Sequence, residues 1–159
     1  MKKLFFAAVA PLALAACATA PVEPMTAPGP DFLTRNAAVK NVVTTPSGLE
    51  YLILKSGPKT GASPKDGDKV TFHYEGKLTD GTVFDSSIAR GEPLSGGVGD
   101  FVPGFTEALK LMRPGDDWIV WIPPALGYGA KQVDVIPPNS VLRFKLILIS
   151  VEPGAAPKK

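Results

Sequence analysis

Cysteine occurs once in this 159-residue chain, as Cys17, and histidine once, as His73. A lone cysteine closes no intramolecular disulfide, and one thiol with one imidazole is too few for a zinc site. No metal and no cofactor is expected on such a donor set. Neither sign of charge dominates. There are 17 Lys and Arg against 15 Asp and Glu, and two of the lysines are Lys2 and Lys3 at the N-terminus. The rest of the chain is balanced and offers no clustered basic face, so nucleic acid is not an expected partner. No G-x-S-x-G elbow, P-loop or internal repeat occurs. The pair Asp116-Asp117 follows Pro114-Gly115 and reads as solvated turn chemistry rather than a glycosidase pair. His73 falls mid-strand and, by alternation, points away from the apolar face, as a surface or packing histidine does.

What is present begins with an address. Lys2 and Lys3 precede an apolar run from Leu4 to Ala16, interrupted by Pro11, and then Cys17. A basic start followed by about a dozen apolar residues is a secretory signal. The run is shorter than the roughly 20 residues that cross a membrane comfortably. Leu14-Ala15-Ala16-Cys17 resembles the bacterial lipoprotein cleavage box, which implies cleavage after residue 16 and a lipidated Cys17; the alternative is an ordinary signal cut near Ala16 or Ala20. No aspartate follows the cysteine, and by resemblance to Gram-negative lipoprotein sorting this points to the outer membrane. Residues 18–30 are rich in Ala, Pro and Thr and read as a semi-stiff spacer. Asp31 is placed to cap a short helix from Phe32 to about Lys40. The expected organisation is a signal over 1–16, a lipidated tether over 17–44, one domain over 45–152 and a tail over 153–159.

Within the domain, strand patterns dominate. Leu49 to Lys55 is a strand candidate, with Tyr51 and Ile53 on one face. From Asp68 to Leu78 the residues Val70, Phe72, Tyr74, Gly76 and Leu78 share a face. Asp80-Gly81 is a two-residue hairpin signal, after which Thr82-Val83-Phe84 resumes the extended run. Gly91 to Gly99, with four glycines and Pro93, reads as a loop. Phe105, Ala108, Leu109 and Met112 recur at helical spacing, and Pro114-Gly115 ends that helix. Trp118 to Ile122 and Val141 to Val151 are further strands. Several antiparallel strands around one short helix make an α+β fold in which the sheet wraps the helix.

Three strings carry the aromatic and aliphatic residues that flank loops. They are His73-Tyr74-Glu75-Gly76-Lys77-Leu78-Thr79-Asp80-Gly81-Thr82-Val83-Phe84-Asp85-Ser86-Ser87, then Phe101-Val102-Pro103-Gly104-Phe105-Thr106-Glu107-Ala108-Leu109, then Ile122-Pro123-Pro124 through Tyr128-Gly129 to Ile136-Pro137-Pro138-Asn139-Ser140 and Phe144. In this order and spacing they resemble the FKBP family of peptidyl-prolyl cis-trans isomerases over about residues 45–152. The entry Gly48-Leu49-Glu50-Tyr51 and the tether resemble its exported, macrophage infectivity potentiator-like branch. The resemblance implies an FKBP-like curved antiparallel sheet around one helix. It implies a pocket with Tyr74, Asp85 and Tyr128 as catalytic residues and Phe84, Leu94, Phe101, Val102, Phe105, Ile136 and Phe144 as substrate-binding residues. Phe105 stands where the family usually has a tryptophan floor, and Leu94 where an aromatic wall is common. The loop from Tyr128 to Ile136 is shorter than in compact single-domain members. Proline-containing polypeptides are the implied substrates, macrolide immunosuppressant-type compounds the implied ligands, and the membrane a partner through the lipid anchor. Residues 31–40 are too few for the helical arm that pairs copies in the exported branch, so a monomer is expected.

These residue types suit the reaction. The bond before proline turns behind a barrier of roughly 18–20 kcal/mol, and no covalent bond breaks, so no nucleophile is needed. An apolar site favours the twisted, less dipolar amide over the planar one. Phe84, Val102, Phe105 and Phe144 are expected to hold the ring. Tyr128 and the backbone N–H of Ile136 are expected to hold peptide carbonyls, and Asp85 to orient the twisting carbonyl or stabilise Tyr74. The competing reading is a prolyl-peptide-binding chaperone module with little turnover; a purely structural surface lipoprotein is a third.

Overall fold

The structure is a computed structural model and describes residues 30–154. The signal segment, Cys17, nearly all of the spacer over 18–30 and the end of the tail lie outside the described residues. In chain order the elements are α1 (Pro30–Ala37), β1 (Val43–Thr44), β2 (Glu50–Lys55), β3 (Lys69–Leu78), β4 (Val83–Ser86), α2 (Ser87–Arg90), β5 (Leu94–Gly97), α3 (Pro103–Leu111), β6 (Asp117–Ile122) and β7 (Leu142–Glu152). Single 3-10 turns occur at Val98–Asp100 and Pro124–Leu126. The seven strands form one antiparallel sheet in the order β1-β2-β6-β7-β3-β4, with β5 also paired to β3. The α+β fold expected from the sequence is the fold observed.

The sheet is built around β3. Its alternation is complete: Val70, Phe72, Tyr74, Gly76 and Leu78 are buried, and the residues between them are not. One edge of β3 pairs with β7 along its whole length, from Lys69↔Glu152 to Leu78↔Leu142. The other edge is shared by two short strands, β5 beside Lys69–Phe72 and β4 beside Glu75–Lys77. The inner face of β3, β6 and β7 packs on α3 through Phe105, Ala108, Leu109 and Met112, all buried. Pro103 opens α3, where a missing N–H costs nothing. At Gly104 a Cβ would lie 2.5 Å from Ile122 Cγ2, so only glycine lets the helix sit this close to β6.

Several expectations are corrected. The segment from Gly91 to Gly99 is not only loop: Leu94–Gly97 is β5, paired with β3 at Phe72↔Leu94 and Lys69↔Gly97. Glycine hides strand pattern because it has no side chain to alternate. Helix α1 starts at Pro30 and ends at Ala37, so Asp31 lies in its first turn and does not cap it. The chain leaves the helix through turns closed by Ala38 N–H on Arg35 and Val39 N–H on Asn36, then a left-handed Asn41. Strand β2 begins at Glu50 rather than Leu49, and Ile53 is 44% exposed beside a register shift. The hairpin loop has three residues, Thr79 to Gly81: Gly81 N–H closes on Leu78 and Leu78 N–H on Thr82, with Gly81 at φ 91°. Asp116 is not solvated. It is buried, accepting Gly57 N–H at 2.6 Å and Arg113 N–H at 2.9 Å, and it locks the turn before β6.

Helix α1 is joined to the sheet by Asn36, whose Nδ2 donates to Glu50 Oε2 at 2.6 Å. Glu50 is buried, and burial pushes its carboxyl pKa up, with Asn36 partly opposing this.

Candidate functional site

The fifteen-residue string from His73 to Ser87 folds into one device. β4 pairs with β3 only as far as Glu75↔Ser86, and the next residues turn into α2. That departure would leave the buried N–H of Tyr74 without a strand partner. Ser87 fills the gap: its Oγ accepts Tyr74 N–H at 2.8 Å, and its side chain is fully buried. The same Oγ lies 3.2 Å from His73 Nδ1, which gives the lone histidine a packing role. Ser86 caps α2 by accepting Ala89 N–H at 3.1 Å, and Gly91 at φ 74° ends it. The two serines therefore have separate tasks, one bridging a sheet and one starting a helix.

The single turn of α2 returns Arg90 over the strand it left. Arg90 Nη1 donates to Asp85 Oδ1 at 2.5 Å and Nη2 to Tyr74 Oη at 3.0 Å. Its guanidinium lies 5.8 Å from the Tyr74 ring centroid. Tyr74 Oη in turn donates to Asp85 Oδ2. Burial pushes the Asp85 carboxyl up, but the hydrogen bonds from Tyr74 and Arg90 and the Arg90 charge outweigh it and leave its pKa below the usual aspartate value. Burial and the bond to Asp85 push the Tyr74 hydroxyl up, and Arg90 partly offsets this. Asp85 is thus an ionised acceptor, and the Tyr74 proton is committed to it. Arg90 carries no sequence pattern of its own; only the turn of α2 brings it here.

Tyr74 and Asp85, with Arg90 behind them, form one wall of a cleft of about 610 Å³. The structure brings all ten residues expected at the site to this one cleft: Tyr74, Asp85, Tyr128, Phe84, Leu94, Phe101, Val102, Phe105, Ile136 and Phe144. It adds four that sequence reasoning missed, Asp100, Val133, Asp134 and Val135. Asp100 and Val133 to Val135 sit on turns, where no periodicity marks which way a side chain faces.

Phe105 forms the floor. It is 4% exposed, and its ring centroid lies 5.0 Å from Phe144, 5.1 Å from Phe101 and 5.3 Å from Phe72. The Phe144 contact is perpendicular, and Phe84 meets Phe144 edge-on as well, at 5.5 Å. Edge-to-face pairs of this kind favour a fixed ring geometry. Gly76 makes room for it, since a Cβ there would lie 2.4 Å from the Phe84 ring and 2.8 Å from that of Phe144.

One expected donor is reassigned. Ile136 N–H donates to Val133 O at 2.8 Å, while Val133 N–H returns to Ile136 O at 3.1 Å. This pair closes a tight turn over Asp134-Val135, so the Ile136 N–H is spent internally. Val102, which lines the cleft just ahead of α3, has a main-chain N–H without an acceptor among the described residues. Tyr128 Oη likewise makes no hydrogen bond among them and remains free for a ligand.

A strongly curved sheet around one helix, with an aromatic cleft at its mouth, is the arrangement the sequence resemblance implied. The family model for the FKBP-type peptidyl-prolyl cis-trans isomerase matches residues 61–149, more than half the chain. The chain belongs to this family. Among solved structures, FkpA from Escherichia coli is 42% identical, with a TM-score of 0.73 over 77% of this chain and 57% of that one. A peptidyl-prolyl cis-trans isomerase from Pseudomonas syringae is 32% identical, with a TM-score of 0.70 over 77% of this chain and 89% of that one. The outer membrane protein MIP of Legionella longbeachae is 46% identical over 130 residues, 81% of this chain and 55% of that protein. The chain spans about half the length of the relatives first matched, with 55% and 47% covered.

Proposed function

We propose that the protein is a peptidyl-prolyl cis-trans isomerase acting on exported polypeptides by non-covalent catalysis. The observation that carries this reading is the cleft itself. Its aromatic floor and walls suit a proline ring, and its volume is in the range of ligand sites, about 300–1,000 Å³. Phe84, Phe105 and Phe144 hold the ring and exclude water. Tyr128 Oη and the Val102 N–H are the uncommitted donors for carbonyls of the bound peptide. Asp85, held ionised by Tyr74 and Arg90, is no proton donor; it acts by its field and by fixing the wall. Tyr74 is then a positioning residue, because its hydroxyl points to Asp85. Each ~1.4 kcal/mol by which the cleft prefers the twisted amide gives tenfold in rate.

The wider reading rests on the sequence and on relatives. The names of the relatives, an outer membrane protein MIP among them, support a place in the bacterial envelope. In this reading residues 1–16 are a signal, Cys17 is lipidated, and the protein is a catalyst tethered to the outer membrane and facing the periplasm; the basic start, the apolar run and the Leu14-Ala15-Ala16-Cys17 string support it. The protein works as a monomer, and macrolide immunosuppressant-type compounds compete for the cleft. A protease-free prolyl isomerisation assay with the purified protein tests the central claim. Acceleration over the spontaneous rate, abolished by a macrolide of this type, is expected. Binding of proline peptides with no acceleration would leave the chaperone-module reading instead.

A further inference from the structure

The rim of the cleft has a chemistry its floor lacks. Two of its apolar residues are exposed, Leu94 at 37% and Val135 at 52%. Among the lining residues every charged one is an aspartate: Asp85, Asp100 and Asp134. Asp85 is neutralised by Arg90. Asp100 and Asp134 are exposed and make no ion pair among the described residues. Asp100 spends one oxygen, Oδ2, on Gly97 N–H at 2.7 Å and leaves Oδ1 open. Asp134 sits at the tip of the tight turn closed by Val133 and Ile136, in the left-handed region at φ 48°. The turn fixes the main chain from which this exposed carboxylate projects. Lys131, on the same loop, does not line the cleft and pairs with no acid among the described residues.

A substrate proline on the Phe105 floor places its neighbouring residues at this rim. A neighbour suited to the rim needs an apolar stem to lie on Leu94 or Val135 and a cationic end to meet a carboxylate. Lysine and arginine have that form, a hydrocarbon stem with a charged head. We infer that the cleft prefers prolyl peptides with lysine or arginine next to the proline, and that Asp100 and Asp134 set this preference. The site is the cleft already described, so the inference rests on the isomerase reading and names its substrate class. An exposed ion pair contributes modestly, which corresponds to about two- to fivefold in kcat/KM at low salt.

The test uses two capped peptide series, Ala-Xaa-Pro-Phe and Ala-Leu-Pro-Xaa, with lysine, norleucine or glutamate at Xaa. Norleucine keeps the stem and removes the charge. The expected result in at least one series is the order lysine, norleucine, glutamate, with a lysine-to-glutamate ratio that falls in 1 M salt, where screening shortens to about 3 Å. In Asp100→Asn and Asp134→Asn the ratio drops. Asparagine suits both positions, since its amide oxygen still accepts Gly97 N–H and it tolerates φ > 0. Turnover of all peptides with a ratio of one overturns the inference and leaves the isomerase reading intact. A ratio that persists in the double variant also overturns it. Should no peptide turn over, the isomerase reading fails, and equilibrium binding of the same peptides decides. Tighter binding of the lysine peptide, lost in the double variant, then supports the inference, and equal binding overturns it.

Discussion

The two tyrosines of the cleft look alike in sequence and differ in commitment. Tyr74 is buried and donates to Asp85, while Tyr128 is half-buried with its hydroxyl free among the described residues. Removing each hydroxyl therefore has a different effect. Tyr74→Phe removes one of the hydrogen bonds that hold Asp85 and is expected to cost about 0.5–1.5 kcal/mol of stability, read as a lowered urea midpoint. Tyr128→Phe is expected to leave that midpoint within about 0.5 kcal/mol and to lower kcat/KM by up to about tenfold. Equal loss of stability in both variants would remove the distinction. That both tyrosines line the cleft was legible from their strings. Their different tasks were not, because a hydroxyl's partner depends on what α2 brings back across β3.

At the scale of elements, β3 illustrates what alternation predicts well. Its five buried positions follow from a period of two, and every one is where the pattern puts it. The gap in its ladder follows from no pattern. Ser87 covers Tyr74 N–H there, so Ser87→Ala is expected to leave a buried donor unpaired and cost about 1–3 kcal/mol. Hydrogen exchange at Tyr74 N–H is the direct readout, and unchanged protection would show that another group satisfies it. Gly76→Ala drives a methyl into the Phe84 and Phe144 rings. It is expected to destabilise by about 1–3 kcal/mol and to disturb the aromatic ring signals of the cleft by NMR. Strand β5 was unreadable because two of its four residues are glycine, and α2 because a single helical turn has no period.

For the molecule as a whole, stability depends on pH through a few carboxylates. Asp68 is lowered by backbone N–H bonds from Gly154 and Lys65, and Asp80 by Thr82 N–H. In Asp85 burial acts upward, but its Tyr74 and Arg90 partners outweigh it and leave it lowered too. A lowered folded pKa means stability that is fully present above the unfolded value, about 3.9, and lost as pH falls through the folded one. Glu50 has the opposite sign, because burial raises it. Its contribution is present below about 4.3 and is lost as pH rises through its folded pKa. The thermal midpoint is therefore expected to fall once pH drops below about 4. Glu50→Gln, which keeps an acceptor for Asn36, is expected to raise the midpoint at pH 7 relative to pH 4.5. A midpoint in this variant with the same pH dependence as the parent would show that Glu50 does not contribute.

The sequence by itself determined the family, the α+β class and ten of the fourteen residues that line the cleft. Those depend on short-range order: strand alternation, helical spacing, and strings whose internal distances are preserved along the chain. Tertiary structure alone decided the rest. It placed Arg90 on Asp85, buried Asp116, spent the Ile136 N–H in a turn and left Asp100 and Asp134 open at the rim. Each of these outcomes depends on where a turn sends the chain and which groups it leaves paired. Partners distant in sequence, such as Gly57 and Asp116, meet only when the sheet closes around α3.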